Sequence, residues 1–411
     1  MDFTPLLPGG QNGGAGLIAK ALLRELSSLA ADVEFEVLTA EASHHELAEF
    51  EASGSGVRLR CVVPAKVEQP LTRVSRGAAR GGLALLLPPD KRARLKHAYW
   101  ATLRRPARAA IARGLGVDLM FCPFTAPDYF DPRVPLVSIV YDLQHVHYPD
   151  FFGPEQRVYR QLHVLDACRR ATRVVCLSED ARRTLLASVR VHPRKISTIP
   201  LTVLQEMRPP DACRARALLQ RLGVAPRRYL LYPANFWPHK NHQALFEGLR
   251  IYRERHPNSD LQLVCAGVAG PDMDARMLAA RRLLPPETVV FPGRMVGENL
   301  AALFVWSRGL VFPSLYEGFG MPVLEAMAAG IPVLCANATS LPEVAGDAAL
   351  LFDPRDPGAI AGTIERLESE PGLAEDLVRR GHARRATFGT PRDMAGRYLD
   401  LFHALVDPRA A

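Results

Sequence analysis

The sequence has no long apolar run and no closely spaced cysteines. No stretch of its 411 residues reaches the roughly 18 consecutive apolar residues of a membrane-spanning helix. The seven cysteines are scattered and never form a CxxC pair, which favours small core residues over disulfides or metal ligands. The first residues, MDFTPLLPGG, lack the basic and apolar regions of a secretory signal. These absences favour a cytoplasmic protein.

Acidic residues are almost missing from residues 73–113, although the chain as a whole has a net charge of +8. The only acid there is Asp90, and leucines and aromatic residues lie among the basic ones. The basic residues are Arg73, Arg76, Arg80, Lys91, Arg92, Arg94, Lys96, Arg104, Arg105, Arg108 and Arg113. This composition predicts peripheral binding to the anionic inner face of a membrane, and a solvated basic face is the alternative. No recognition motif points to nucleic acid.

Short apolar runs alternate with helical patterns in two series. They are rich in Val, Ile and Leu at both alternating positions, as buried parallel strands are. The first series comprises residues 34–39, 57–63, 117–122, 134–142, 172–178 and 195–200. The second comprises residues 229–233, 260–267, 288–293, 309–314, 331–336 and 348–352. The alternation predicts an α/β fold of two doubly wound, Rossmann-like domains.

The predicted domains are residues 1–203 and 204–390, followed by an amphipathic helix in 391–411 that crosses back onto the first domain. Between Pro200 and Pro226 the alternation lapses, and we interpret this segment as an interdomain hinge. Parallel sheets of this kind bind ligands at the carboxyl ends of their strands. The expected site is therefore the cleft between the two domains.

The segment PSLYEGFGMPVLEAMAAG, residues 313–330, has the pattern of a strand, a glycine-containing turn and a helix. Pro322 suits a first helical turn, and Gly330 suits the residue that ends the helix. A second helix, near Leu341, is predicted to open with a capping box from Ser340 to Glu343.

The chemistry of this segment lies in its turn. Glu317 and Glu325 supply two carboxylates, and the N–H groups of Phe319, Gly320 and Met321 should point outward at the positive end of the helix dipole. Donors for an anion beside acceptors for hydroxyl groups would suit a phosphorylated sugar. An ordinary turn with two solvated glutamates is the alternative.

A glycine-rich loop also precedes the first helix. Residues 4–16 read TPLLPGGQNGGAG, and Gly13 and Gly14 are candidates for close approach of a ligand to the backbone. The spacing is not GxGxxG, so a dinucleotide is not specifically indicated.

The chain resembles the GT-B glycosyltransferases of the large retaining family 4, also called group 1. SLYEGFGMPVLEAMAAGIPV matches that family's Glu-x7-Glu element, with Gly318 inside the turn. SLPEVAGDAALLFDPRD (340–356) and YPANFWPHKNH (232–242) resemble two further segments of the family. The likeness covers essentially the whole chain and is densest in residues 229–360. It implies the GT-B fold and a nucleotide-sugar substrate.

The resemblance also implies roles for individual residues. Glu325 would bind the ribose of the donor nucleotide, and Glu317 would hold the hydroxyls of the sugar. Lys240 would contact the diphosphate, where a point charge suits a leaving group. Arg294 and Met295 match positions that line the base pocket in relatives.

Two departures from the family pattern concern charge. Relatives carry GRLxxxKG, and Asn235 stands where they have the arginine; His239, if protonated, is a candidate substitute. Relatives often have His-Asp after the strand at 134–142, where this chain has Tyr141-Asp142. His145 or His147 would then serve the acceptor side, with Asp142 orienting one of them. The alternative is that these histidines only pack or cap the loop.

The implied reaction is hexosyl transfer with retention, in which the departing diphosphate helps to deprotonate the acceptor hydroxyl. No cofactor and no metal are expected, because the Asp272-Met-Asp274 pattern better suits a helix cap. The DLQH and WPHKN variants resemble bacterial mannosyl- or rhamnosyl-type transferases of surface-polysaccharide assembly. This resemblance favours GDP-mannose as donor and a lipid-linked glycan as acceptor. A nucleotide-sugar epimerase and a non-catalytic partner that binds nucleotide sugar or glycan are the alternatives.

Overall fold

All the apolar runs predicted as strands are strands in the computed structural model, which describes residues 1–51, 56–63, 87–205, 207–268 and 273–407. The strands are β1 (Phe35–Ala40), β2 (Val57–Val63), β3 (Met120–Cys122), β4 (Leu136–Val140), β5 (Arg173–Cys176), β6 (Ile196–Thr198), β7 (Tyr229–Tyr232), β8 (Gln262–Ala266), β9 (Val289–Gly293), β10 (Gly309–Phe312), β11 (Val333–Ala336) and β12 (Leu350–Phe352).

Helices separate most of these strands, as an α/β fold requires. They are α1 (Gly14–Leu29), α2 (Glu41–His44), α3 (Pro89–Gly114), α4 (Gln144–His147), α5 (Pro154–Arg170), α6 (Glu179–Ser188), α7 (Ala212–Leu222), α8 (His242–Arg255), α9 (Met273–Leu283), α10 (Gly297–Trp306), α11 (Met321–Ala328), α12 (Leu341–Ala345), α13 (Pro357–Ser369), α14 (Leu373–Ala386) and α15 (Pro391–Val406).

The chain forms two units. Unit 1 comprises Met1–Pro200 with Thr390–Ala411, and unit 2 comprises Leu201–Gly389. The domain boundaries predicted from the sequence, after residues 203 and 390, lie close to these divisions. In unit 1, the final helix α15 packs its Tyr398 and Phe402 rings on Phe121 of β3, with ring centroids 5.6 and 5.2 Å apart.

The sheet of unit 1 consists of two parallel parts, β1-β2 and β3-β4-β5-β6. The first residues connect them, because the N–H of Asp2 donates to Phe121 O (2.9 Å) and the N–H of Phe3 donates to Leu38 O (2.8 Å). Every residue of the central strand β4 is buried. Strands that are covered on both faces explain the continuous apolar runs of the sequence.

Unit 2 has one parallel sheet in the order β12-β11-β10-β7-β8-β9. From β7 the chain adds β8 and β9 on one side and then returns to add β10, β11 and β12 on the other. The strand order therefore reverses between β7 and β10, and the carboxyl ends of strands at such a reversal are where ligands bind. The predicted α/β class with two Rossmann-like units is confirmed.

The segment between Pro200 and Pro226, interpreted as an interdomain hinge, begins at the division between the two units and contains α7. The Asp211 carboxylate caps the first turn of α7, 3.0 Å from the N–H groups of Cys213 and Arg214. One local prediction is wrong. Ser340 precedes α12 but makes no capping hydrogen bond. Its hydroxyl instead donates to Glu317 O in the loop after β10.

The cysteine prediction is confirmed: all seven are free, and five of them are buried. The basic segment 73–113 is only partly described, since residues 64–86 lie outside the described ranges; so does Asp272. None of the described helices is both long and apolar enough to span a membrane.

Candidate active site

The candidate site lies where the loops after β7 and β10 meet. β7 and β10 are neighbours, with Leu230 paired to Gly309 and Leu231 to Leu310, so both loops leave the same edge of the sheet. The β7 loop ends in a 3-10 turn, Pro238–Lys240, directly before α8. The β10 loop, residues 313–320, leads into α11.

An ion pair joins the two loops. Lys240 Nζ lies 2.5 Å from Glu317 Oε1, and the side chains are only 17% and 14% exposed. The same ammonium lies 5.3 Å from the centre of the Phe312 ring, within the range of a cation–π contact. Because little water reaches this pair, its charges interact more strongly than surface charges do. The arrangement places a cation and a carboxylate together at the start of a helix.

Hydrogen bonds hold the two loops in register. The N–H of Leu315 donates to His239 O (2.8 Å), and the Tyr232 hydroxyl donates to Lys240 O. Asn241 Nδ2 donates to Pro313 O (3.1 Å) and to Pro354 O (2.7 Å), so one side chain connects the loops after β7, β10 and β12.

Asn241 was not among the predicted site residues, although the sequence carried a signal. It stands where the family pattern GRLxxxKG has glycine, and its φ of 58° is in the left-handed region that glycine and asparagine tolerate best.

The turn before α11 presents unpaired donors. Among the described residues we find no acceptor for the N–H groups of Phe319, Gly320 and Met321, as predicted from the sequence. Gly320 has a φ of 104°, and a Cβ there would lie 2.5 Å from Leu341 Cδ2, so any other residue would strain the backbone and displace the Leu341 side chain. Free N–H groups at a helix start attract anions.

Glu325, in α11, has a different environment from Glu317. The residue is partly exposed, yet burial raises the pKa of its carboxyl to about 7, and among the described residues no neighbouring cation opposes that rise. A carboxyl that is desolvated and lacks a cation partner is suited to accept hydrogen bonds from hydroxyl groups.

Two further residues at this site were missed. Thr339 Oγ1 accepts the N–H of Glu317 at 3.0 Å, and the Ser340 hydroxyl donates to Glu317 O and Phe319 O, both at 2.9 Å. This explains why the predicted capping box fails, since the hydroxyl is fully buried against those two carbonyls. No local sequence pattern predicts the hydrogen bond from Ser340 to Glu317, because the two residues are 23 positions apart.

The remaining predicted residues of unit 2 are distributed along the same edge. Asn235 Oδ1 accepts the N–H of Val268 (2.9 Å), which connects the loops after β7 and β8. Arg294 is exposed and Met295 partly exposed after β9, two strands away from β7. Within the described residues of the chain, no group of three or more His, Cys, Asp or Glu side chains could hold a metal ion.

The predicted residues of unit 1 lie on two loops. Gly13, with a φ of 56°, precedes α1, whose first residue is Gly14, and a Cβ at either would meet nothing within 4 Å. Asp142 follows β4, and its Oδ1 accepts the N–H of Gln144 at 3.0 Å.

His145 is buried in α4, with a ring nitrogen 2.9 Å from Gln161 Oε1. Burial lowers the pKa of His145, although the Gln161 contact and the nearby Asp142 charge oppose the change. His147 is exposed.

Comparisons with known proteins identify the family of the chain. Residues 13–202 match the family model for the glycosyl transferase 4-like domain, and residues 220–384 match that for glycosyl transferases group 1. O-antigen chain mannosyltransferase B of Escherichia coli is 28% identical over 61% of this chain and 66% of its own length. O-antigen chain mannosyltransferase RfbU of Salmonella typhimurium is 25% identical over 63% and 68%. The chain thus spans about two thirds of these relatives.

Solved structures show the same architecture. HepE from Anabaena, in complex with UDP-glucose, superposes with a TM-score of 0.70 over 96% of this chain and 97% of that one, at 17% identity. Sucrose-phosphate synthase from Thermosynechococcus elongatus gives 0.68 over 96% and 94%, at 19% identity. At these identities the likeness establishes the fold.

Proposed function

The chain belongs to the group 1 glycosyl transferases with the GT-B fold, and on that premise we propose that it transfers a hexose from a nucleotide sugar to a growing glycan, with retention of anomeric configuration. The observation that carries the proposal is the Lys240–Glu317 pair at the start of α11. It brings a cation from the β7 loop to the turn that carries a carboxylate and free N–H groups, which matches the groups of a nucleotide sugar.

Each group receives one task in this proposal. Lys240 and the N–H groups of Phe319, Gly320 and Met321 bind the diphosphate, whose negative charge grows as the bond to the sugar breaks. Glu317 holds the sugar hydroxyls, and Glu325 accepts hydrogen bonds from the ribose. Lys240 would then exchange its contact with Glu317 for the diphosphate when the donor binds.

The acceptor hydroxyl attacks the anomeric carbon on the face from which the diphosphate leaves. The departing diphosphate oxygen takes the hydroxyl proton, so the protein supplies position and charge and no covalent nucleophile. We assign Asp142 and His145 to the acceptor side. A histidine whose pKa is lowered stays neutral near pH 7, where it can donate or accept a hydrogen bond.

We propose GDP-mannose as the donor and a lipid-linked glycan of surface polysaccharide as the acceptor. The support for mannose is that curated relatives are named O-antigen mannosyltransferases. The solved relative HepE was crystallised with UDP-glucose, so the base needs a direct test.

A panel of GDP, UDP and ADP in a thermal-shift assay tests the base, because a ligand that binds the folded state raises its melting temperature. We expect GDP to give the largest shift. A transfer assay with the matching nucleotide sugars then tests the reaction, with the anomeric configuration of the product read by NMR. Isomerised donor without transfer would indicate an epimerase instead, and an inverted product would contradict retention.

We also propose that transfer needs no metal ion. With Lys240 and the helix start to balance the diphosphate charge, activity in excess chelator should equal activity in buffer. Loss of activity with chelator, followed by recovery on addition of Mn²⁺ or Mg²⁺, would contradict this.

A further inference from the structure

We propose that Thr339 and Ser340, in the loop between β11 and α12, are positioning residues that set the direction of Glu317 and so determine how well the hexose is held. Neither is assigned a substrate contact. The inference rests on the proposed function, because that is where Glu317 is assigned to the sugar.

The first support is that this loop binds both backbone groups of Glu317. Thr339 Oγ1 accepts its N–H at 3.0 Å, and the Ser340 hydroxyl donates to its carbonyl at 2.9 Å. The same hydroxyl also donates to Phe319 O at 2.9 Å. Two adjacent side chains therefore fix the peptide groups on either side of the Glu317 side chain.

The second support is the backbone of Thr339. Its φ of 49° lies in the left-handed region, which β-branched residues rarely adopt. Such a conformation persists only where surrounding contacts hold it, and it occurs preferentially at functional sites. Glycine or asparagine would be less strained here, but neither offers a hydroxyl at this position.

The third support is burial. Ser340 is fully buried, and so is Leu341, which lies against Gly320 in the same turn. The loop thus contacts the turn at Glu317, Phe319 and Gly320. Close packing leaves a buried contact of this kind little freedom to shift. Removal of one hydroxyl should therefore change the position of the Glu317 carboxylate.

The phosphate side of the site has separate support. The loop that carries Lys240 is held by Asn241 and by the bond from Leu315 to His239. Removing the Thr339 hydroxyl, which contacts the turn only at Glu317, should therefore weaken use of the sugar while leaving nucleoside diphosphate binding nearly intact. The Ser340 hydroxyl also bonds Phe319 O in the turn assigned to the diphosphate, so its removal should weaken both. A purely structural role of Thr339 would lower both together.

The test compares Thr339→Val and Ser340→Ala with Thr339→Ser, which retains the hydroxyl. We expect the first two to lower kcat about tenfold or more, with the Kd for the nucleoside diphosphate unchanged within about twofold in Thr339→Val and raised in Ser340→Ala. Thr339→Ser should recover most of the activity. Amide hydrogen exchange at Glu317 should quicken in Thr339→Val, because its N–H loses an acceptor.

Two further variants separate positioning from stability. Thr339→Gly relieves the backbone strain, so its melting temperature should be no lower than that of Thr339→Val. Its kcat should be as low as that of Thr339→Val, because the hydroxyl is still missing. Ser307→Ala removes another fully buried hydroxyl, which donates to Phe304 O at 2.9 Å, and should leave kcat unchanged.

Three results would overturn the inference while wild-type transfer stands: wild-type kcat in Thr339→Val and Ser340→Ala, equal losses of kcat and diphosphate affinity in Thr339→Val, or an equally slow Ser307→Ala. A wild-type protein that transfers hexose from none of the nucleotide sugars would instead overturn the proposed function, and the inference with it.

Discussion

Glu317 and Glu325 belong to one sequence motif but differ in electrostatic environment. Glu317 lies 2.5 Å from an ammonium group, whereas burial without a cation raises the pKa of Glu325 to about 7. The Glu317 carboxylate therefore pairs with the Lys240 ammonium that we assign to the diphosphate. The Glu325 carboxyl is better suited to hydrogen bonds with neutral hydroxyl groups. This difference supports separate roles for the two residues.

Replacing Lys240 tests the charge at the helix start. Lys240→Ala should lower kcat by about 10²–10³, the usual loss for one group that stabilises developing charge. The measurement is steady-state transfer with the donor identified in the nucleotide panel. Arg308→Ala is the control, because Arg308 also forms a partly exposed ion pair in the same unit, 2.6 Å from Glu368. The assignment fails if both variants retain activity or lose it equally.

Glu325→Gln should stabilise the protein at pH 8 while impairing donor binding. The folded state raises the pKa of Glu325 from 4.5 to about 7, so it binds the proton more tightly than the unfolded chain. The stability from the protonated carboxyl is thus present below pH 4.5 and lost as the pH rises to 7. Glutamine remains neutral and should add about 1–2 kcal/mol at pH 8, after allowance for partial exposure.

The measurement is denaturant unfolding of wild type and Glu325→Gln at pH 4.5 and pH 8. The two proteins should be similar at the lower pH and differ at the higher one. Glu317→Gln provides the contrast, because it breaks the ion pair with Lys240 and should lower stability at pH 8. A Glu325→Gln variant less stable than wild type at pH 8 would show that its carboxylate is well solvated or paired.

At the scale of elements, the start of α11 depends on a close approach by α12. Gly320 leaves no room for a Cβ because Leu341, the first residue of α12, fills that space. The turn that presents the free N–H groups is therefore shaped by a helix that follows it by one strand, β11. A glycine was expected here from the turn pattern alone, but its packing partner was not.

Gly320→Ala should lower both stability and donor affinity. It adds a strained left-handed alanine and a 2.5 Å contact with buried Leu341, which together should cost about 2–4 kcal/mol. Gly372→Ala shares the positive φ, at 75°, but has open space around its Cβ. The difference between their unfolding free energies measures the contact, and equal values would show that backbone strain alone matters.

At the scale of the whole molecule, the excess of positive charge remains the main feature without an assigned ligand. In α3, Arg108 pairs with Asp128 at 2.6 Å and Arg92 lies 3.8 Å from Glu155, so two predicted basic residues are partly neutralised by the protein. Lys91 and Arg94 are exposed, and Leu95, which follows Arg94, is 58% exposed. Exposed basic and apolar side chains of this kind are what the predicted membrane contact requires.

Sedimentation with liposomes tests this contact. The protein should bind vesicles that contain anionic lipid, and added salt should release it, because a Debye length of about 8 Å at physiological ionic strength shortens further with salt. Reversing Lys91 and Arg94 to glutamate should weaken binding. Reversing Arg216 and Arg221, exposed on α7 in unit 2, changes net charge equally and should not. Salt-independent binding, no binding, or equal effects would refute the prediction.

The sequence by itself determined the α/β fold, the strands, and the turn and helix that follow β10. These features depend on hydrophobic periodicity and on local backbone preferences. Both are determined by residues that lie close together in the sequence. The turn pattern singled out the two glutamates, and the family resemblance added Lys240 as a candidate. It did not bring them together, because a one-dimensional pattern contains no distances.

Only the tertiary structure decided which of these residues meet. Lys240 and Glu317 are 77 residues apart and become partners because the sheet places β10 beside β7. Ser340 was predicted to cap its own helix, yet its hydroxyl donates to the carbonyls of Glu317, 23 residues earlier, and of buried Phe319. Strand order and burial choose among competing hydrogen bonds, and neither is visible in the local sequence.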